Sequence, residues 1–326
     1  MAAGIGIVDC CPGAVPARGW VMDRRSRKDV GARLSLAYGM GKRKKITIST
    51  LRARKRESQR ISMLTCYDFA TARLMEEAEV DSLLVGDTYG EVCLGYSTTL
   101  PVTIEHMVTL AEAVRRGAPT AYLVGDMPYL TFQVSAEEAI RHAGLFMAKG
   151  GCDCIKVEVD RRLVKTVEAM ASATIPVMAH LGLKPQSIQS LGGYRTQGKQ
   201  AGEALRIIED AKMMVDAGAI ALLLEAVPRE VAQIITASTD VPVFGIACGP
   251  HCDGQVVVLH DMVGFGGGHP PRAVKQYLQL HDLLVEAFRA YTDDVAEGRF
   301  PTEANSAGLE PKELHELQSL LEKSRS

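Results

Sequence analysis

Two stretches of this sequence run alike: SLLVGDTYG (82–90) and YLVGDMPY (122–129) each drive a run of Leu and Val into a Gly-Asp pair. Asp87 and Asp126 therefore stand where a buried segment stops. Other apolar runs end the same way, on Asp68, on Lys156 with Glu158, on His180 and on Glu225. A single aspartate at such a boundary can cap the following helix, but six strand-like runs ending on ionisable groups read as one site. Asp87, Asp126 and Glu158 are hard oxygen donors, suited to a Mg²⁺ ion that keeps several waters and leaves room for substrate. Without a cation the three would repel one another. Lys156 and Glu158 are two apart on one strand and share a face. Lys156 can neutralise a substrate carboxylate or form a Schiff base, the structural alternative being an ion pair that closes the core. Glu225 follows ALLL, a desolvated setting that suits a general base. His180 can donate to a substrate oxygen or serve as a satisfied structural histidine. The chemistry indicated is metal-assisted proton abstraction beside the carbonyl of a small oxo acid.

The elements that must position these groups alternate from residue 60 onward. Strands are expected over 60–68, 82–88, 120–128, 152–159, 175–182, 219–227, 241–249 and 256–264. Most are continuously apolar, as parallel strands buried on both faces require. Amphipathic helices are expected over 69–80, 103–118, 135–151 and 200–219, with Ser135 and Glu138 forming a capping box. Gly117, Gly150 and Gly218 fall where helices should end. This pattern predicts an α/β fold, a single-domain (β/α)8 TIM barrel. The gap before the eighth strand is too short for a full helix. An open doubly wound sheet is the competing architecture, but no glycine fingerprint follows the first strand.

With 326 residues, 47% of them apolar, and a net charge of −2, the chain can bury a large core. It gives no electrostatic reason to expect nucleic acid or an anionic membrane as partner. No apolar run is long enough to span a bilayer. The eight cysteines lack zinc spacing and read as buried, reduced thiols of a reducing compartment. Residues 1–45 form a basic extension with ten Lys/Arg against three acids. It reads as a disordered tail or a start-site artefact upstream of Met40, with an organellar transit peptide as the alternative to a cytoplasmic location. The catalytic barrel is assigned to 46–305, and 306–326 form a tail with a short amphipathic helix.

At these residues the sequence resembles the ketopantoate hydroxymethyltransferase family. The resemblance rests on MLTCYDFATARL (63–74), LLVGDTYG (83–90), STTLPVTIEHM (97–107), IKVE (155–158), AHLGLKPQS (179–187), GGYRTQGK (192–199), LLLEAVP (222–228) and GGHPPRAVKQY (267–277). It implies a (β/α)8 barrel that uses one Mg²⁺ per subunit and 5,10-methylenetetrahydrofolate. The implied reaction converts 3-methyl-2-oxobutanoate to 2-dehydropantoate in pantothenate biosynthesis, through a Mg-stabilised enolate. By the same resemblance, Asp87, Asp126 and Glu158 are metal ligands, and Asp87, Thr88, Asp126 and Lys156 hold the oxo acid. Tyr67 and His180 line the pocket, Glu225 is the proton acceptor, and the assembly is a homodecamer. Thr88 stands where Ser is usual, Cys66 where Ala is usual, and FGIACG (244–249) replaces a glycine-rich segment. The alternative is a Mg-dependent oxo-acid lyase or mutase of the phosphoenolpyruvate mutase and isocitrate lyase group, whose lyases carry a KKCGH-like loop that this chain lacks.

Overall fold

The computed structural model describes residues 43–193, 195–268 and 270–325; residues 1–42 of the extension lie outside the described residues. The first helix, α1 (Ile48–Arg56), is followed by β1 (Ile61–Thr65), α2 (Phe69–Glu77), β2 (Ser82–Val85), the one-turn α3 (Tyr89–Val92) and α4 (Ile104–Gly117). Next come β3 (Tyr122–Asp126), α5 (Ala136–Ala148), β4 (Cys154–Glu158), α6 (Val164–Ser172), β5 (Val177–Gly182), the short α7 (Ile188–Leu191) and α8 (Ala201–Asp216). The barrel is completed by β6 (Ala221–Glu225), α9 (Arg229–Ala237), β7 (Val243–Ile246) and β8 (Gly254–Val257). Beyond it lie α10 (Leu259–Val263), α11 (Leu280–Ala296) and α12 (Pro311–Lys323).

The eight strands pair in parallel in chain order, and β8 closes onto β1 through Ile61 opposite Gly254 and Met63 opposite Val256. Alternation along each strand sorts side chains into two cores. Ile155, Val157, Ala179, Leu181, Leu222 and Leu224 face the helices. Met63, Tyr122, Val124, Met178, Leu223 and Phe244 fill the barrel. Helix starts follow from the local sequence: Asp68, Thr103 and Ser135 each accept a hydrogen bond from a backbone N–H in the first turn. Ser135 accepts from the Glu138 N–H, one half of the expected box.

Two expectations are corrected. The eighth strand spans 254–257, and only the start of the VVVLHDMVG run belongs to it; Leu259–Val263 is helical. Asp68 is an exposed cap bonded to the Thr71 N–H and hydroxyl at 2.8 and 2.6 Å, so it does not join the site. The missing helix between β7 and β8 is as expected. The described cysteines are all free thiols, and only Cys93 among them is exposed.

The N-terminal end of the barrel is closed by α1, whose Leu51 is fully buried against the interior core. Carboxylates recur at this end, and each has a cation. Asp81 meets Arg54 at 2.6 Å, Asp153 meets Lys45 and Arg115 at 2.5 Å, and Asp253 meets Lys55 at 2.8 Å. Arg43 also reaches Asp81, at 3.4 Å, so residues 43 and 45 of the basic segment contact the barrel. Beyond β8, α11 and α12 bury none of their residues. Leu283, Phe288, Tyr291, Leu314, Leu317 and Leu321 are exposed on them.

Gly182 ends β5 with φ +94°, and a Cβ there would strike the Glu225 carbonyl oxygen and reach Val227 at 2.6 Å. The close approach of β5 and β6 thus depends on an absent side chain. Gly182→Ala is expected to lower stability by about 1–3 kcal/mol, measured by denaturant unfolding; an unchanged midpoint would contradict this packing.

Candidate active site

Side chains that point into the barrel at the C-terminal ends of the strands form a polar tier above the apolar interior. Register places Asp126 beside Lys156, and Glu158 beside His180. Asp87 follows β2 directly, and its N–H donates to Asp126 Oδ2 at 3.2 Å. Lys156 Nζ donates to both oxygens of Asp126 at 2.7 Å. Asp87, Asp126, Lys156, Glu158 and His180 are all buried. Asp87, Asp126, Lys156 and His180 surround a cavity of about 40 Å³, also lined by Thr88, Pro185 and Glu225. The ion pair foreseen for Lys156 is present, and it lies inside the site.

Electrostatics follow from this burial. Desolvation first, and then the neighbouring Asp126, pushes Asp87 up to about 7 despite Lys156. Glu158 is raised well above the usual carboxylate range, again chiefly by burial. Burial works against the Lys156 charge too, but Asp126, Asp87 and Glu158 outweigh it and hold the ammonium above its ordinary range. Burial and then Lys156 lower His180, which favours the neutral imidazole. Glu225 keeps 20% of its side chain exposed, so it is less enclosed than its apolar run suggested.

Several polar atoms face the site without a partner. His180 Nε2 lies 3.3 Å from Glu225 Oε2 and Nδ1 lies 3.9 Å from Glu158 Oε1, yet neither nitrogen makes a hydrogen bond. The Tyr67 hydroxyl is buried and equally unsatisfied; its ring stands 5.8 Å from both Tyr89 and His260. Buried polar groups are normally paired, so these fit positions that a ligand completes. Among the described residues no three His, Cys, Asp or Glu side chains form a ready-made cage for an ion. A Mg²⁺ that keeps its waters does not need one. Asp87, Asp126 and Glu158 have the donor chemistry to hold it, since the tier has three carboxylates and a single lysine.

Sequence reasoning missed Gln186. It is 5% exposed, and its side chain donates to Asp87 Oδ2 at 2.8 Å while its N–H donates to Glu158 Oε2 at 3.1 Å. The only signal was its position in the LKPQS segment after β5.

A pH dependence follows. Asp87 and Glu158 bind protons more tightly folded than unfolded, so each stabilises most at low pH; the Asp87 contribution is full below about pH 4 and is lost as pH rises through about 7, and that of Glu158 is lost in the same direction. His180, with a lowered pKa, acts oppositely and only below about pH 6.5. In chelating buffer the melting temperature should therefore be roughly 2–4 °C higher at pH 6.5 than at pH 8.5. Asp87→Asn should flatten this trend, and a melting temperature that rises with pH would contradict it.

Comparison with known proteins agrees with the fold and sharpens the family. The ketopantoate hydroxymethyltransferase family model matches residues 45–303. The 3-methyl-2-oxobutanoate hydroxymethyltransferase of Thermoanaerobacter sp. (strain X514) is 43% identical over 269 residues, covering 82% of this chain and 98% of the relative. That of Moorella thermoacetica is 44% identical over 267 residues, covering 82% and 99%. Among solved structures, the phosphoenolpyruvate phosphomutase of Streptomyces platensis subsp. rosaceus superposes with a TM-score of 0.55 at 13% identity, covering 86% of this chain and 97% of that one. A phosphonopyruvate hydrolase gives 0.54 at 13% identity with the same coverage. At that identity the likeness speaks for the barrel alone. From the sequence match across the whole barrel, the chain belongs to the ketopantoate hydroxymethyltransferase family.

Proposed function

We propose that the chain transfers a hydroxymethyl group from 5,10-methylenetetrahydrofolate to C3 of 3-methyl-2-oxobutanoate, giving 2-dehydropantoate for pantothenate biosynthesis. The observation that carries the reading is a buried tier of three carboxylates around a single lysine, with the Tyr67 hydroxyl left unpartnered beside it. Asp87, Asp126 and Glu158 would hold one Mg²⁺ per subunit. Bound there, the ion would supply positive charge that polarises the 2-oxo group and eases loss of the C3 proton.

The chain's own residues do the rest. Lys156, held cationic by its acidic neighbours, offers charge to the oxo acid in a dry setting where charge is worth more than in water. Asp87 and Thr88 contact the same substrate from the end of β2. Neutral His180 presents a ring N–H to a substrate oxygen, and Tyr67 covers the pocket. Glu225, partly exposed and 3.3 Å from His180, accepts the proton. The new bond joins C3 to the one-carbon unit, water supplies the hydroxyl, and tetrahydrofolate leaves.

We place the chain in the cytoplasm as a homo-oligomer, a decamer by family resemblance. The uncovered apolar rows of α11 and α12 support association, because helices this amphipathic gain stability by burying that face. No helix among the described residues is long and apolar enough to cross a membrane.

The test is a product assay with Mg²⁺, 3-methyl-2-oxobutanoate and 5,10-methylenetetrahydrofolate, following 2-dehydropantoate by mass spectrometry. Metal-dependent product is expected; none from folded protein would favour the lyase reading. Glu225→Gln should lower kcat by roughly 10²–10⁴ while the oxo acid still binds. A raised KM with unchanged kcat would remove its proton-transfer role.

A further inference from the structure

Gln186 sits in the one-turn 3₁₀ segment Pro185–Ser187 that follows β5. Every polar group of its side chain is engaged. Nε2 donates to Asp87 Oδ2 at 2.8 Å and to the Met127 carbonyl at 2.9 Å, while Oε1 accepts from Gln133 Nε2 at 3.0 Å. This set fixes which end of the amide faces the carboxylate, since Asp87 and Met127 offer only acceptors there and Gln133 offers a donor. The main-chain N–H of the same residue donates to Glu158 Oε2 at 3.1 Å. Pro185 precedes it, and its ring restricts the backbone that aims this N–H.

One neutral residue therefore grips two acidic side chains that come from different strands, β2 and β4. A group that only filled space would not need both of its donor sites turned toward carboxylates. Removing either contact would free a buried carboxylate to rotate, and the direction of its lone pairs decides whether it can share a cation. Gln133, from the loop after β3, braces the amide from behind and extends the chain of contacts to a third loop.

We propose that Gln186 is a positioning residue, which orients Asp87 with its side chain and Glu158 with its main chain so that both carboxylates address one divalent cation. The inference rests on the reading of the acidic tier as a cation site. Gln186→Leu keeps the approximate volume and the main-chain N–H while deleting the side-chain bonds. Gln133→Leu deletes only the brace.

Mn²⁺ is the probe, with free ion followed by electron paramagnetic resonance in the full-length protein and no substrates present. Melting temperature without metal is recorded for each variant. Gln186→Leu should weaken Mn²⁺ binding by about 10- to 100-fold, as loss of a hydrogen bond behind a metal ligand typically does, and should also lower the metal-free melting temperature, because Asp87, the Met127 carbonyl and Gln133 each lose a buried partner. Gln133→Leu should weaken it about threefold, on the same grounds with one bond lost at one remove. A folded Gln186→Leu protein that binds Mn²⁺ within twofold of the parent overturns the inference. If that variant fails to fold, unchanged Mn²⁺ affinity in Gln133→Leu overturns it instead. A parent protein that binds no Mn²⁺ removes the cation reading itself, and the role of Gln186 with it.

Discussion

Asp126 and Lys156 meet across β3 and β4 with two 2.7 Å hydrogen bonds, in a part of the barrel that water barely reaches. Burying two charges is costly, and attraction between them repays the cost only when geometry is good and the surroundings add further bonds. Here the surroundings add more negative charge. Asp87 donates its N–H to Asp126, Glu158 lies two residues beyond Lys156, and neither acid brings a cation of its own. Burial first, and then the neighbouring acids, raise Asp87 and Glu158. The site is in this sense unfinished, and a divalent cation with an oxo acid is the chemistry that would finish it.

The two ends of the barrel make the point by contrast. At the N-terminal end Asp81, Asp153 and Asp253 also terminate or adjoin strands, but each is met by Arg or Lys from α1, its flanks or α4. Those pairs seal the base, where barrels invest in stability. At the C-terminal end the same residue type is left under-compensated, beside a histidine and a tyrosine without partners. Acidic side chains thus have several cations around them or too few according to which end of a strand carries them.

Much of this was legible in the sequence, because a buried parallel strand leaves a long apolar run and an ionisable residue at its end breaks that run visibly. Asp87, Asp126, Lys156, Glu158, His180 and Glu225 stand out this way; the structure brings all but Glu158 around one cavity, and register puts Glu158 beside His180. Asp68 gave the same signal for a different reason, since capping and catalysis both favour aspartate at a strand-to-helix junction. The eighth strand was misplaced because the apolar run Val256–Leu259 passes from the strand into the first residue of the helix Leu259–Val263, and periodicity cannot divide a run so short. Gln186 left little trace beyond its place in the LKPQS segment: a neutral amide in a connecting turn alters neither charge nor period, and its partners are 28 and 99 residues away.

The proposed reaction requires that C3 of the oxo acid lose a proton at this tier. The direct test is proton exchange at C3 of 3-methyl-2-oxobutanoate in D₂O, followed by nuclear magnetic resonance with protein and Mg²⁺ but no folate. The account predicts loss of the C3 proton signal and collapse of the methyl doublet, dependent on Mg²⁺ and abolished by Asp126→Asn. Absence of exchange in a protein that still forms 2-dehydropantoate when folate is added would contradict it.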